Sequence, residues 1–164
     1  MAKGDIFLKM ASKRAGNVKG EARDAVHGGE MDVLGWSWSM DFPTDLRSGG
    51  RTGRASMRAL CITKPCDVAT TALMSIANTN DEITSAELTV RKAGAAAIDY
   101  FTVKLKKAYI TAYEIAWQDT PLPQMVERFE MRFQTIEVNY SPQSSEGQKA
   151  GSTSFTGQVT ESGA

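Results

Sequence analysis

The chain has 164 residues, and its 19 basic and 19 acidic residues balance to a net charge of zero. A chain of this length is the size of one domain and buries roughly two-thirds of its unfolded surface on folding. Without a global positive field, we do not expect nucleic acid as a partner. No stretch approaches the roughly 20 apolar residues of a membrane helix, and Met1–Met10 lacks the apolar run of a signal peptide. The sequence therefore predicts a protein made in the cytoplasm, with no membrane partner.

Apolar and polar residues alternate along the first third of the chain, which is typical of half-buried strands. A first short strand carries Ile6, Leu8 and Met10 on one face. The next strand has two unlike faces, one bulky with Leu34, Trp36, Trp38 and Met40, the other small and polar with Gly35, Ser37, Ser39 and Asp41. The two tryptophans could stack on a sugar or a base, but their shared parity with two aliphatic residues favours packing in the core.

A third strand, Met57–Thr63, has apolar residues at both parities and is expected to be buried on both faces. Cys61 and Cys66 lie on either side of Pro65, so a disulfide is possible, although two reduced and partly buried thiols are the favoured interpretation. With one histidine in the chain, a structural zinc site lacks ligands.

One segment, about Asp67–Asn78, has the periodicity of a helix. Its apolar residues recur at helical spacing, at Ala69, Ala72, Leu73, Ile76 and Ala77. Asp67 is the predicted N-cap, and Pro65 ends the preceding strand. We therefore expect one short helix against the sheet.

Two long strands in the second half change phase part-way along. Ser85–Ala93 is expected to form a hairpin, through a turn at Gly94, with a long strand that begins at Asp99. In that strand the apolar set Phe101, Val103 and Leu105 is followed, after Lys106-Lys107, by Ala108, Ile110 and Ala112. In the last strand Phe129, Met131 and Phe133 are followed, after Gln134-Thr135, by Ile136, Val138 and Tyr140. Such slips require bulges that bend a strand, so the predicted fold is all-β, a compact β-barrel with one short helix.

Two segments lack periodicity. The first, Asp41–Arg54, is a long extended loop rich in glycine, serine and arginine. The second is the polar tail, so we divide the chain into a barrel over residues 1–143 and a tail over 144–164 that is either part of the barrel edge or disordered. Phe155 and Val159 could supply a short strand there.

The residues for catalysis are sparse. His27 is the one histidine, and we expect it to cap or line a strand start or a subunit contact. Glu30 with Asp32, and Glu127 with Glu130, look like solvated strand faces. The glycines around Arg51 lack the lysine and the following helix of a phosphate-binding loop, so we expect no catalytic residues, no cofactor and no metal.

Several stretches together resemble the Hcp family (haemolysin-coregulated protein) of bacterial type VI secretion systems. They follow in order along nearly the whole chain to Gln143: Asp5–Lys9, Gly20-Glu21 with His27, Glu30–Trp38, Ala86–Gly94 and Ile136–Gln143. The Leu-Thr-Val-Arg-Lys-Ala-Gly run and the Trp-Ser-Trp strand are the most specific of these.

The resemblance implies a structural subunit without cofactor or catalytic residues. Such subunits form homohexameric rings that stack into a hollow tail tube inside a contractile sheath and under a spike protein, and they are exported, with effectors carried in the lumen. A phage or phage-derived tail-tube protein is the alternative within the same architecture. An enzyme on a small barrel is an alternative of another class, and it would need a concave site with convergent polar groups.

Two surfaces are candidates for assembly. The small polar face of Gly35, Ser37 and Ser39 is expected to border a neighbouring subunit or the lumen, where it would meet cargo, or else to be a solvated outer strand face. The long loop is expected to reach a neighbouring ring or subunit and to be poorly ordered in a free one, because a polar segment buries too little apolar area to offset its ordering entropy. Its candidate contact residues are Phe42, Leu46, Arg47, Arg51 and Arg54.

Overall fold

The computed structural model describes residues 5–93, 98–142 and 151–159. Within them the chain forms eleven strands and one helix, and the predicted turn at Gly94 lies outside them. The strands are β1 Asp5–Ser12, β2 Gly16–Asn17, β3 Met31–Asp32, β4 Gly35–Ser37, β5 Met40–Asp41, β6 Ser56–Met57, β7 Leu60–Pro65, β8 Ile83–Arg91, β9 Asp99–Gln118, β10 Gln124–Tyr140 and β11 Thr153–Gln158. The helix, α1, is Thr70–Asn78.

The all-β prediction is confirmed, but the described sheet is not closed into a barrel. Nine strands form one antiparallel sheet in the order β2-β1-β8-β9-β10-β7-β4, with β3 added to β1 and β11 added to β10. The hairpin predicted between Ser85–Ala93 and the strand beginning at Asp99 corresponds to the antiparallel pair of β8 and β9. Among the described strands no pair joins β2 to β4, so the path of paired strands stays open.

The predicted phase changes occur opposite one another in β9 and β10. Leu105 and Ala108 are both buried, although in a regular strand residues three positions apart face opposite sides. Lys107, which lies between them, has a positive φ of 52°. Phe133 and Ile136 are buried in the same manner across from them. Because both strands slip at the same level, their pairing continues through the change of phase.

A second irregularity in the pairing of β9 with β10 lies between Glu130 and Met131. It changes which residues of β9 face the core, and this corrects the prediction for Ala112. Beyond it Ala112 is exposed, and Tyr113 packs against the core in its place. The predicted alternation of buried and exposed residues therefore holds only as far as Ile110. Beyond it, one bulged residue shifts the strand by one position and exchanges its two faces.

The helix packs its predicted face against the sheet but begins later than expected. Leu73 and Ile76 are buried, as the helical spacing predicts. Asp67 lies before the first turn, where its carboxylate accepts hydrogen bonds from the Ala69 amide at 2.9 Å and from the Lys64 ammonium at 2.9 Å. Ala69 is the N-cap, so α1 starts at Thr70 and not at Asp67.

β7 is buried on one face only, which corrects the expectation of a strand covered on both sides. Leu60, Ile62 and Lys64 are fully buried, whereas Cys61 is half-exposed on the opposite face. Cys61 and Cys66 are both free and partly buried, as favoured from the sequence.

The segment Asp41–Arg54 is a protruding hairpin. Its base is the β5–β6 pair, and a bridge between Thr44 and Arg51 continues the pairing outward. β11 packs beside this base, where a Cβ added to Gly157 would lie 2.4 Å from the Met57 methyl carbon. Residues 144–150 and 160–164 of the predicted tail lie outside the described residues.

Candidate functional site

The small polar face predicted for the tryptophan strand faces outward. Ser37 and Ser39 are exposed, and a Cβ added to Gly35 would meet no atom within 4 Å. The predicted strand is interrupted, since β4 ends at Ser37 and β5 begins at Met40. The alternation of the faces nevertheless continues across the interruption.

The opposite face of this segment anchors it in the core, as predicted. The Trp36 ring stacks on Phe101 with 5.5 Å between centroids. Trp38 lies 6.4 Å from the ring of Phe133, and its indole N–H donates to the Arg58 carbonyl at 3.0 Å. The small outward residues are therefore carried on a rigid support.

The outward-facing strip of Gly35, Ser37 and Ser39 continues into the outer faces of β7 and β10. Gly35 lies opposite Thr63, Ser37 opposite Cys61, and Cys61 opposite Glu130. A shallow depression of about 280 Å³ opens here; it is lined by Ser37, Trp38, Ser39, Arg58, Ala59, Cys61, Glu130 and Arg132. Small and charged side chains therefore make up most of this surface.

The protruding hairpin presents its two apolar residues to solvent. Leu46 is 96% exposed at the end of the hairpin, and Phe42 is 46% exposed near its base. The Asp45 carboxylate holds the turn by accepting from the Arg47 amide at 2.9 Å and from the Ser48 hydroxyl at 3.0 Å. The bond from the Arg47 amide is the main cause that lowers the pKa of Asp45.

The three loop arginines are distributed along the hairpin. The Arg51 guanidinium lies over the Phe42 ring, 4.6 Å from its centroid. Arg47 follows Leu46 at the turn, and Arg54 lies near the other end; all three are exposed. The hairpin thus offers exposed apolar and cationic groups along its length.

A buried polar network that the sequence analysis missed lies beneath α1. The ammonium of Lys64 and the carboxylate of Glu127 are both completely buried and paired. Glu127 also accepts from the Tyr113 hydroxyl at 2.6 Å and from the Thr70 hydroxyl at 3.1 Å. Burial and these contacts with Glu127 raise the pKa of Tyr113.

This network corrects the interpretation of Glu127 as part of a solvated face. The sequence contained a signal for this burial. Glu127 lies on the same strand face as Phe129 and Met131, because all three are two residues apart. Lys64 shares a face with Leu60 and Ile62 in the same way. A charged residue at a core position predicts a buried partner, since an unpaired buried charge is costly.

A second ionic cluster forms around His27, which lies in the loop before β3. The ring contacts Glu30 through Nδ1 at 2.7 Å and Asp99 through Nε2 at 2.9 Å. Arg91 donates to both oxygens of Asp24, at 2.5 and 3.0 Å. These bonds hold the pKa of Asp24 well below its usual range. Glu30 is thus in hydrogen-bond contact with His27 and does not belong to a solvated strand face.

Within the part of the chain that the structure describes, no group of three or more His, Cys, Asp or Glu could hold a metal ion. Every buried side-chain nitrogen and oxygen in those ranges has a hydrogen-bond partner. The helix of residues 70–78 falls short of the length needed to cross a membrane, and no other helix is present among the described residues.

Comparison with known proteins identifies the family. A family model described as type VI secretion system effector, Hcp, matches residues 7–140. The protein hcp1 of Pseudomonas aeruginosa is 31% identical over 150 residues, which cover 90% of this chain and 89% of the relative. Similar solved structures include a type VI secretion system effector from Yersinia pestis, with a TM-score of 0.74, 24% identity and coverage of 94% and 100% of the two chains. Hcp1 from Salmonella typhimurium has a TM-score of 0.74 at 20% identity, with 96% and 95% covered. The chain belongs to the Hcp family of type VI secretion system proteins.

Proposed function

We propose that the protein is the tube subunit of a type VI secretion system, a structural protein that forms rings of six and stacks them into a hollow tube. The observation that carries this proposal is the family match over residues 7–140, which extends through almost all of β1 to β10. The partners would be further copies of the chain, a contractile sheath around the tube, a spike protein at its tip and effectors within it. The secretion machinery itself would export the protein.

We assign the strip of Gly35, Ser37 and Ser39 to the wall of the lumen. Its support is the contrast between the two faces of the segment, one fixed in the core and one small, polar and exposed. Small hydroxyl groups leave the channel wide and hydrated, and they can exchange hydrogen bonds with a passing or bound cargo.

We assign ring stacking to the hairpin that carries Phe42, Leu46 and the three arginines. A leucine that is 96% exposed gains about 1.5–3 kcal/mol when a partner buries it fully. Arg47, Arg51 and Arg54 could meet carboxylates of the adjacent ring, where partial desolvation strengthens charge-assisted hydrogen bonds. These contacts recur in every subunit of a ring, so modest energies add up.

The geometry favours a structural role over an enzymatic one. Both ring nitrogens of His27 face carboxylates, so neither is free to activate a serine or cysteine nucleophile. The buried pair of Lys64 and Glu127 is enclosed beneath α1 without access for a substrate. These contacts leave neither group available for catalysis.

The experiment that tests the proposal is the mass of the purified protein in solution. Size-exclusion chromatography with light scattering should give about six times the 17.8 kDa chain mass. Negative-stain images should show rings with an open centre. A monodisperse monomer at micromolar concentration would contradict the proposal.

A further inference from the structure

Both nitrogens of the His27 ring are engaged by carboxylates. Nδ1 lies 2.7 Å from Oε2 of Glu30, and Nε2 lies 2.9 Å from Oδ2 of Asp99. A neutral imidazole carries one N–H, so it can donate to only one of these oxygens and would turn a lone pair toward the other. An imidazolium donates to both. The geometry therefore matches the charged ring.

The surrounding charges also favour a cation at this position. Asp24, on the same loop, accepts from the backbone amide of His27 at 3.0 Å and is bound by Arg91 of β8. Arg91 also contacts Asp99 at 3.3 Å. Arg91 thus contacts two carboxylates, those of Asp24 and Asp99. Glu30 adds a third carboxylate beside His27, so a positive charge on the ring offsets the excess negative charge.

The first strand contributes an aromatic ring to the cluster. Phe7 of β1 stacks on His27 with 4.6 Å between centroids, and the Arg91 guanidinium lies 5.2 Å from the same ring. The charged residue of β1 at this end, Asp5, lies opposite Arg91 in the strand pairing. The charged groups that act on the ring of His27 are the carboxylates of Asp99 and Glu30.

The cluster fastens a loop to a distant hairpin. The loop of residues 20–30 is folded on itself by hydrogen bonds from the Gly20 amide to the Gly29 carbonyl at 2.8 Å and from the Ala22 amide to the Glu30 carbonyl at 2.9 Å. Its side-chain ties to β8 and β9 in this cluster are the Asp24 bonds to Arg91 and the His27 bond to Asp99. Asp99 lies 72 residues beyond His27 in the chain.

We propose that His27 is a proton-dependent fastener: as an imidazolium it ties the loop of residues 20–30 to the start of β9, and its deprotonation weakens that tie. This device is separate from tube assembly and does not depend on the number of subunits in a ring.

The balance of forces on the ring agrees with this proposal. Burial opposes the charge and acts to lower the pKa of His27, but the hydrogen bonds and charges of Asp99 and Glu30 outweigh it, so the pKa lies above 6.5. A group with a raised native pKa stabilises the fold fully below its unfolded value. The stabilisation is therefore present below about pH 6.5 and is lost as the pH rises through the native pKa.

The chain has a single histidine, so its titration can be observed without overlap. We would label histidine with ¹⁵N and ¹³C in the full-length, assembled protein and follow the ring signals by NMR from pH 5 to 9. The expected result is a ring protonated at both nitrogens at pH 6, with a pKa above that of a free histidine. A neutral single tautomer at pH 6, or a pKa at or below the free value, would overturn the proposal.

Two variants and one control link the titration of His27 to the stability of the fold. Asp99→Asn should lower the pKa of His27, whereas Asp45→Asn, a carboxylate of the protruding hairpin, should leave it unchanged. In wild-type protein the unfolding equilibrium constant should rise by up to about tenfold per pH unit between the unfolded and native pKa values. His27→Gln should remove that part of the slope at equal protein concentration. If His27→Gln does not fold, the wild-type titration and Asp99→Asn decide the question, and an unchanged pKa in Asp99→Asn counts against the fastener.

Discussion

The buried pair of Lys64 and Glu127 yields the strongest prediction for the stability of the subunit. Replacing Glu127 with leucine leaves the Lys64 ammonium fully buried, with the carboxylate of Asp67 at 2.9 Å as its remaining counter-charge. Removing one partner of a buried pair costs about 3–5 kcal/mol. The Tyr113 hydroxyl also loses its acceptor at 2.6 Å. We expect Glu127→Leu to lower the free energy of unfolding by about 3–5 kcal/mol.

A double substitution separates the cost of an orphaned charge from the cost of lost packing. Lys64→Met combined with Glu127→Leu removes both charges and keeps most of the buried volume. Because well-packed apolar replacements of a buried pair are often neutral, the double variant should be more stable than Glu127→Leu alone. An additive loss in the double variant would refute this reasoning.

Guanidinium chloride unfolding, followed by tryptophan fluorescence at equal protein concentration, measures these effects. The slope of free energy against denaturant should stay the same across the variants. Arg128→Met is a matched control on the same strand, because Arg128 is half-exposed and lies 3.8 Å from Glu130. Such a pair is worth about 0–1 kcal/mol. If Glu127→Leu cost no more than this control, the network would not hold β7, β10 and α1 together.

Two further predictions test the assembly surfaces. Ser37→Tyr should leave the ring intact and reduce the amount of effector that co-purifies with it, because the exposed hydroxyl is replaced by a bulky aromatic ring on the proposed lumen wall. Unchanged retention of cargo would contradict the assignment of Ser37 to that wall. Deleting Ser48–Gly53 should spare the fold and the ring, because the β5–β6 base remains, but reduce stacking into tubes seen by electron microscopy and abolish secretion. Leu46→Ser is the matched point variant, since a side chain 96% exposed contributes little to its own subunit. Normal tubes from both loop variants would contradict a stacking role.

Much of the fold was predictable because strands and helices impose short periods on the sequence. The parity of Trp36 and Trp38 predicted their core contacts and the exposure of Ser37. The phase slip at Lys106-Lys107 predicted the change of buried face in β9, where Lys107 has a positive φ. The prediction of which residues face the core was wrong beyond Ile110, where Ala112 is exposed. A second bulge cannot be distinguished from continued alternation when the residues are small.

The sequence by itself determined the all-β class, the single helix, the outward serine strip and the resemblance to the Hcp family, since each depends on neighbouring residues or on ordered motifs. Only the tertiary structure decided which charges are buried and with which partners. Lys64 and Glu127 are 63 residues apart, and His27 and Asp99 are 72 apart. Strand order and register bring these groups together, and no local period encodes a contact between residues so distant in the chain.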